Sequence, residues 1–208
     1  MDRRDVLAAG LAGSLLPAVA QARGTGGPIK PDATVNIWPG EAPGLLDPDL
    51  RERIIERSKD PAVPDRALDR IRTPHLDVFR PATPNGAALL IMPGGGYERV
   101  VLDKEGYEIA SWLSARGVTC FVLFYRLPAE GWKNAPDVPL ADAQRAMRLI
   151  RARAAEWQVD PLRIAAMGFS AGGHVCADLA TRFEHNVYAP VDAADTGSAR
   201  PMLAAPLY

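Results

Sequence analysis

The sequence predicts an α/β domain built on a mostly parallel central sheet with helices on both faces. Short apolar runs alternate with amphipathic stretches of helical period, and no internal repeat breaks the alternation. The 208 residues are 48% hydrophobic and 24% charged, which suits one domain with a real core. A formal charge of -1 gives no electrostatic reason to expect nucleic acid or an anionic membrane as partner, so neutral substrates fit better.

Residues 1–22 read as an export signal. Arg3 and Arg4 precede an apolar stretch from Val6 to Ala20, which ends in the small-residue site Ala20-Gln21-Ala22. Twin arginines before a mild Ala/Gly-rich segment suggest the bacterial twin-arginine route, with a retained anchor or a plain Sec signal as the alternatives. The stretch falls short of the ~18 apolar residues of a spanning helix. The expected product is therefore exported, periplasmic or secreted, with no membrane attachment after cleavage.

Residues 23–74 are rich in Pro, Gly and charge and read as a surface-hugging N-terminal arm. A short strand is expected at Thr34–Trp38 and helical turns near Leu50–Lys59. The core is assigned to residues 75–208. A strand over His75–Arg80 leads through the turn Pro84-Asn85-Gly86 into a buried central strand, Ala87–Met92. Ile109, Ala110, Trp112 and Leu113 share a helical face within Asp103–Arg116, and Gly117 stops that helix. Val118–Tyr125 is the next buried strand. Leu140, Ala143, Met147, Ile150 and Ala154 recur at intervals of three and four, an apolar stripe whose opposite face carries Arg145, Arg148 and Arg153 as solvated charges. Cys120 in the strand and Cys176 on a later helix are expected as buried free thiols.

Asp160-Pro161 turns the chain into the strand Arg163–Met167. There Gly168-Phe169-Ser170-Ala171-Gly172 stands where strand gives way to helix, which is how a nucleophilic serine is presented on a sharp elbow. The flanking glycines remove side chains that would clash in so tight a turn. Pro93-Gly94-Gly95-Gly96-Tyr97 follows the strand Ala87–Met92. Backbone N–H groups of Gly94, Gly95 or Gly96, with that of Ala171, are the expected donors to a developing oxyanion. The bend lacks the G-x-G-x-x-G spacing of a dinucleotide loop.

These pieces, with Ile37-Trp38-Pro39-Gly40, Ala42-Pro43-Gly44, Tyr125-Arg126-Leu127-Pro128 and the continuation Gly173-His174, resemble the α/β-hydrolase superfamily. The resemblance is to its acetyl-esterase and feruloyl-esterase-like branch, also labelled acetylxylan-esterase-like or xylanase-like. It implies an exported serine carboxylic-ester hydrolase that deacylates polysaccharides or smaller esters without a metal or organic cofactor. It also implies Ser170 as nucleophile, Ala171 with Gly95 and its neighbours as oxyanion hole, and Tyr97 as a wall of the acyl pocket. Pro93 departs from related lipases, which carry His there; its ring stiffens the loop instead.

No histidine fits as general base. His75 precedes the elbow, the wrong chain order for this design. His174 is tied to the elbow helix and reads as a packing or hydrogen-bonding residue. His185 lies beyond that helix, roughly 15 Å down at ~1.5 Å per residue. Asp178, Asp192 and Asp195 run along or after the same helix and are expected as surface charges. Pro201–Tyr208 reads as the start of another central strand. The expectation is a chain truncated before its acid and histidine loops, with little turnover by itself. The competing readings are a non-catalytic binding protein on the same fold and a peptidase of the same superfamily.

Overall fold

The computed structural model describes residues 29–208, so the export-signal reading of residues 1–22 lies outside them. Among the described residues nine strands and three α-helices form around one core. The strands are β1 (Ala33–Asn36), β2 (Arg53–Glu56), β3 (Arg66–Asp69), β4 (His75–Phe79), β5 (Ala88–Met92), β6 (Val100–Val101), β7 (Thr119–Phe124), β8 (Ile164–Phe169) and β9 (Ala204–Leu207). The helices are α1 (Glu108–Ser114), α2 (Val138–Ala152) and α3 (Ala171–Arg182).

The main sheet has the order β1-β4-β7-β5-β8-β9. It is mixed: β7, β5, β8 and β9 run parallel, while β4 is antiparallel to both β7 and β1. Every residue of β5 and β7 is buried, the pattern of strands covered on both faces.

From β5 the chain crosses through α1 to β7, then returns through α2 past β5 to β8. Crossovers of the usual right hand put helices of opposite travel on opposite faces of the sheet. The connections leaving β5 and β8 diverge, which opens a crevice at the carboxyl ends of these two strands. Both glycine-rich motifs begin there.

Several expectations change. The helical turns expected near Leu50–Lys59 are strand β2, which pairs antiparallel with β3 and is held by Arg53 on Asp69. Ile54 and Ile55 favour extended backbone, and β3 completes the ladder. The arm does not merely lie on the surface: β1 forms one edge of the main sheet, while Ile37, Trp38, Ala42, Leu50, Leu68 and Ile71 join the common core. The helix expected over Asp103–Arg116 starts as a π-helical turn, Asp103–Tyr107, before α1. Asp103 anchors that turn by accepting the Arg66 backbone N–H at 2.7 Å and its guanidinium at 2.7 and 3.0 Å.

Arg145 is not solvated. Its guanidinium is buried and reaches Asp195 at 3.1 Å, Asp192, and the carbonyl of Ile37 at 2.8 Å. Asp195, expected at the surface, is enclosed, with only 1% of its side chain exposed. Arg148 is half-buried between the Gly197 carbonyl and the Tyr188 hydroxyl, whereas Arg153 pairs with Glu156 near the surface. Helical periodicity could place these arginines off the apolar stripe, but not show that the segment around residues 187–199 folds back over them.

Cys120 and Cys176 are free and buried. Burial pushes the Cys120 thiol up to about 12. Among the described residues no helix is long and apolar enough to cross a membrane.

Candidate active site

Ser170 stands between β8 and α3 with φ 50° and ψ -117°, and it is exposed. Such a conformation costs a non-glycine residue about 1–3 kcal/mol. The surrounding hydrogen bonds hold it: its N–H donates to the Leu207 carbonyl at 2.9 Å, and its own carbonyl accepts the His174 N–H at 3.0 Å. Gly168 and Gly172 make the bend possible. A Cβ on Gly172 would collide with the carbonyl oxygens of Met92 and Pro93, and one on Gly168 with the carbonyl of Gly172.

The glycine bend lies against this elbow. A Cβ on Gly94 would meet the Ser170 Cβ at 3.0 Å, so the two motifs, far apart in sequence, are in near contact across β5 and β8. Gly95 (φ 138°), Gly96 (φ 68°) and Tyr97 (φ 59°) turn the chain sharply after the strand. The N–H groups of Gly95, Gly96 and Ala171 donate to no protein acceptor among the described residues. Ala171 is the first residue of α3, where helix geometry leaves the N–H without an internal partner. Gly94 differs, because its N–H is already bound by Glu105 Oε2 at 2.7 Å.

Tyr97 reaches back to α3, its hydroxyl 2.8 Å from His174 Nδ1. Burial, reinforced by the charge of Asp178, raises the phenol to about 12, so the hydroxyl keeps its proton at neutral pH and can donate. Tyr125 OH donates to the Pro93 carbonyl at 2.8 Å. Burial, with the neighbouring Tyr97 and Glu105, holds that phenol far above its ordinary range.

The remaining histidines lie elsewhere. His75 stacks on Phe124 with ring centroids 4.7 Å apart and hydrogen-bonds the Thr73 carbonyl through Nδ1. His185 meets Arg182 at the far end of α3, and Asp178 is also engaged by Arg182. Sequence reasoning missed Glu105. Its only sequence signal is a glutamate just before Gly106 in a stretch that otherwise reads as an ordinary amphipathic helix.

Residues 76–198, more than half of the chain, match the BD-FAE family. The chain belongs to the BD-FAE family. The chain is 36% identical over 109 residues to an acetylxylan esterase of Xylanibacter ruminicola, an alignment covering 52% of this chain and 22% of that protein. The fold is similar to an acetyl ester-xyloside bifunctional hydrolase from Caldicellulosiruptor lactoaceticus, with TM-score 0.59, 29% identity, and coverage of 85% of this chain and 56% of that one. A butyrate-bound esterase, Est2 of Thermogutta terrifontis, gives TM-score 0.51 and 27% identity, covering 64% of this chain and 47% of its own. The chain thus spans about a fifth of that curated relative and about half of the solved structures.

In this BD-FAE chain three of the motif pieces that carried the resemblance, at Trp38, Pro43 and Arg126, are joined through Asp142 and Arg126. Asp142 accepts Trp38 Nε1 at 2.8 Å together with the Arg126 backbone N–H and guanidinium, and Arg126 also donates to the Pro43 carbonyl at 2.6 Å. Next to Arg126, Tyr125 holds Pro93 and so sets the base of the glycine bend.

Proposed function

We propose that this protein is a serine carboxylic-ester hydrolase acting through an acyl-enzyme on Ser170. The observation that carries the reading is the exposed, positive-φ Ser170, placed beside a glycine bend whose Gly95 and Gly96 N–H groups have no protein acceptor among the described residues. Attack of Oγ on an ester carbonyl forms a C–O bond while the hydroxyl proton passes to a general base. The carbonyl oxygen then carries negative charge, to which the N–H of Ala171 and those of Gly95 and Gly96 are offered. Collapse expels the alcohol, which takes the proton, and water releases the acid by the same steps in reverse order.

The substrate class proposed is acetylated or feruloylated carbohydrate, or small esters, with Tyr97 as a wall beside the acyl group. The names of the similar acetylxylan esterase and acetyl ester-xyloside hydrolase support it. We place the protein outside the cytoplasm, on the strength of Arg3, Arg4 and the apolar stretch behind them. His75, His174 and His185 bond to Thr73, Tyr97 and Arg182, and among the described residues none hydrogen-bonds Ser170 Oγ, so slow turnover is expected.

The test is labelling by a fluorophosphonate probe, read by peptide mass spectrometry, alongside hydrolysis of p-nitrophenyl acetate. Adduct on Ser170, absent in Ser170→Ala, supports the ester hydrolase. A folded chain with neither adduct nor turnover favours the non-catalytic binding protein. Faster cleavage of a short peptide amide than of an acetylated sugar ester favours the peptidase.

A further inference from the structure

The geometry points to Glu105 as a positioning residue for the oxyanion loop, holding Gly94 so that the N–H groups of Gly95 and Gly96, rather than that of Gly94, face the substrate. The assignment rests on the hydrolase reading above.

Glu105 Oε2 lies 2.7 Å from Gly94 N. It is also 3.0 Å from the point where a Gly94 Cβ would stand, the same point that lies 3.0 Å from Ser170 Cβ. Carboxylate and serine therefore flank one glycine. What the geometry requires of residue 105 is an acceptor oxygen for that N–H, which a carboxylate and a side-chain amide both carry. The Gly94 carbonyl is held as well, accepting the Val101 N–H at 2.9 Å, and the Pro93 carbonyl is held by Tyr125 OH. Both peptide planes at Gly94 are thus fixed, on a segment that three successive positive-φ residues would otherwise leave pliable.

The glutamate belongs to the π-helical turn Asp103–Tyr107, where Tyr107 N–H donates to the Leu102 carbonyl at 2.9 Å. Single π turns inside helices occur frequently at functional sites. Here the turn sits between two anchors, the Arg66 contact to Asp103 and the close fit of Gly106 against Val122, whose Cγ1 lies 3.0 Å from a Cβ built on that glycine. A carboxylate this near a developing oxyanion would oppose the new charge, so its value lies in accepting a hydrogen bond and not in being anionic.

Glu105→Ala removes the acceptor, whereas Glu105→Gln keeps a carbonyl oxygen and drops the charge. In the full chain, with p-nitrophenyl acetate as substrate, Glu105→Ala is expected to lower kcat tenfold to a hundredfold with KM within about twofold. Glu105→Gln is expected to recover kcat to within about threefold of the parent. Hydrogen–deuterium exchange of the peptide spanning residues 93–97 is expected to quicken at least tenfold in Glu105→Ala and to stay near the parent rate in Glu105→Gln. Equal kcat in parent and Glu105→Ala, equal loss in both variants, or unchanged exchange overturns the assignment. If Ser170 of the parent neither takes the fluorophosphonate adduct nor turns over p-nitrophenyl acetate, the hydrolase reading fails, and the exchange rates alone decide whether Glu105 holds the loop.

Discussion

The Tyr97 hydroxyl and His174 Nδ1, 2.8 Å apart, tie the glycine bend to the first turn of the elbow helix. The two halves of the candidate site are thereby joined by one hydrogen bond as well as by the contact of Gly94 with Ser170. Tyr97→Phe and His174→Ala are each expected to destabilise the fold by about 1 kcal/mol, and the double variant by no more than either alone. Urea unfolding of the four proteins measures the coupling; strictly additive losses show that the pair does not interact in solution.

The backbone of Ser170 is strained in favour of exposing its side chain. Ser170→Gly relieves a strained positive-φ conformation at a modest entropic cost in the unfolded chain, and stability is expected to rise by about 1 kcal/mol while probe labelling vanishes. A stability gain measured by thermal or urea unfolding checks this. A loss shows that the serine side chain makes contacts that outweigh the strain.

Two glycines near the site should respond differently to alanine. At Gly96 nothing stands within 4 Å of an added Cβ, and only the positive φ of 68° opposes it, so Gly96→Ala is expected to cost about 1 kcal/mol. Gly172→Ala drives a methyl into the Met92 and Pro93 carbonyls and is expected to cost upward of 3 kcal/mol or to prevent folding. Circular dichroism melts of both variants provide the comparison.

The buried Arg126–Asp142 pair, with side chains 1% and 0% exposed, should reveal itself through asymmetry. Asp142→Ala strands the guanidinium and removes the partner of Trp38 Nε1, with an expected loss of about 3–5 kcal/mol. Arg126→Met combined with Asp142→Leu is expected to cost less than Asp142→Ala alone, since no buried charge is left unpaired. Chemical denaturation of both variants separates the stranded charge from lost packing.

Acid should weaken the fold through Asp192 and Asp195. Arg145, working against partial burial, holds the Asp192 carboxyl below its ordinary value. Burial would raise Asp195, but the Tyr188 hydroxyl, the Val191 N–H and Arg145 together bring it lower. With folded values depressed, this stabilisation is complete above the ordinary aspartate value of about 4 and disappears as pH falls through the folded values. Replacing both by Asn is expected to flatten the decline of Tm below about pH 4, a change visible in melts taken from pH 6 to pH 2.

Local pattern made much of the scaffold legible. β5, β7, β8 and α2 follow from apolar runs and a three-to-four spacing, because burial on a sheet or along one helix face leaves its period in the chain. The elbow was readable for a related reason: Gly168, Ser170 and Gly172 are neighbours in sequence, and the steric demand that selects the glycines acts within a single turn.

What escaped the sequence were relations between distant segments. β2 needed β3 as its partner, Arg145 needed the chain at Asp192 and Asp195 to fold over it, and Trp38 meets Asp142 across 104 positions. Glu105 is the sharpest instance, a surface-like residue of an amphipathic stretch until packing sets its carboxylate on Gly94. Sequence by itself determined the α/β class and the serine at the elbow, since both are written in short-range periodicity and local sterics. Only the tertiary structure decided which amides remain free around that serine and which charges are buried, because hydrogen-bond partners and desolvation depend on what the folded chain brings near.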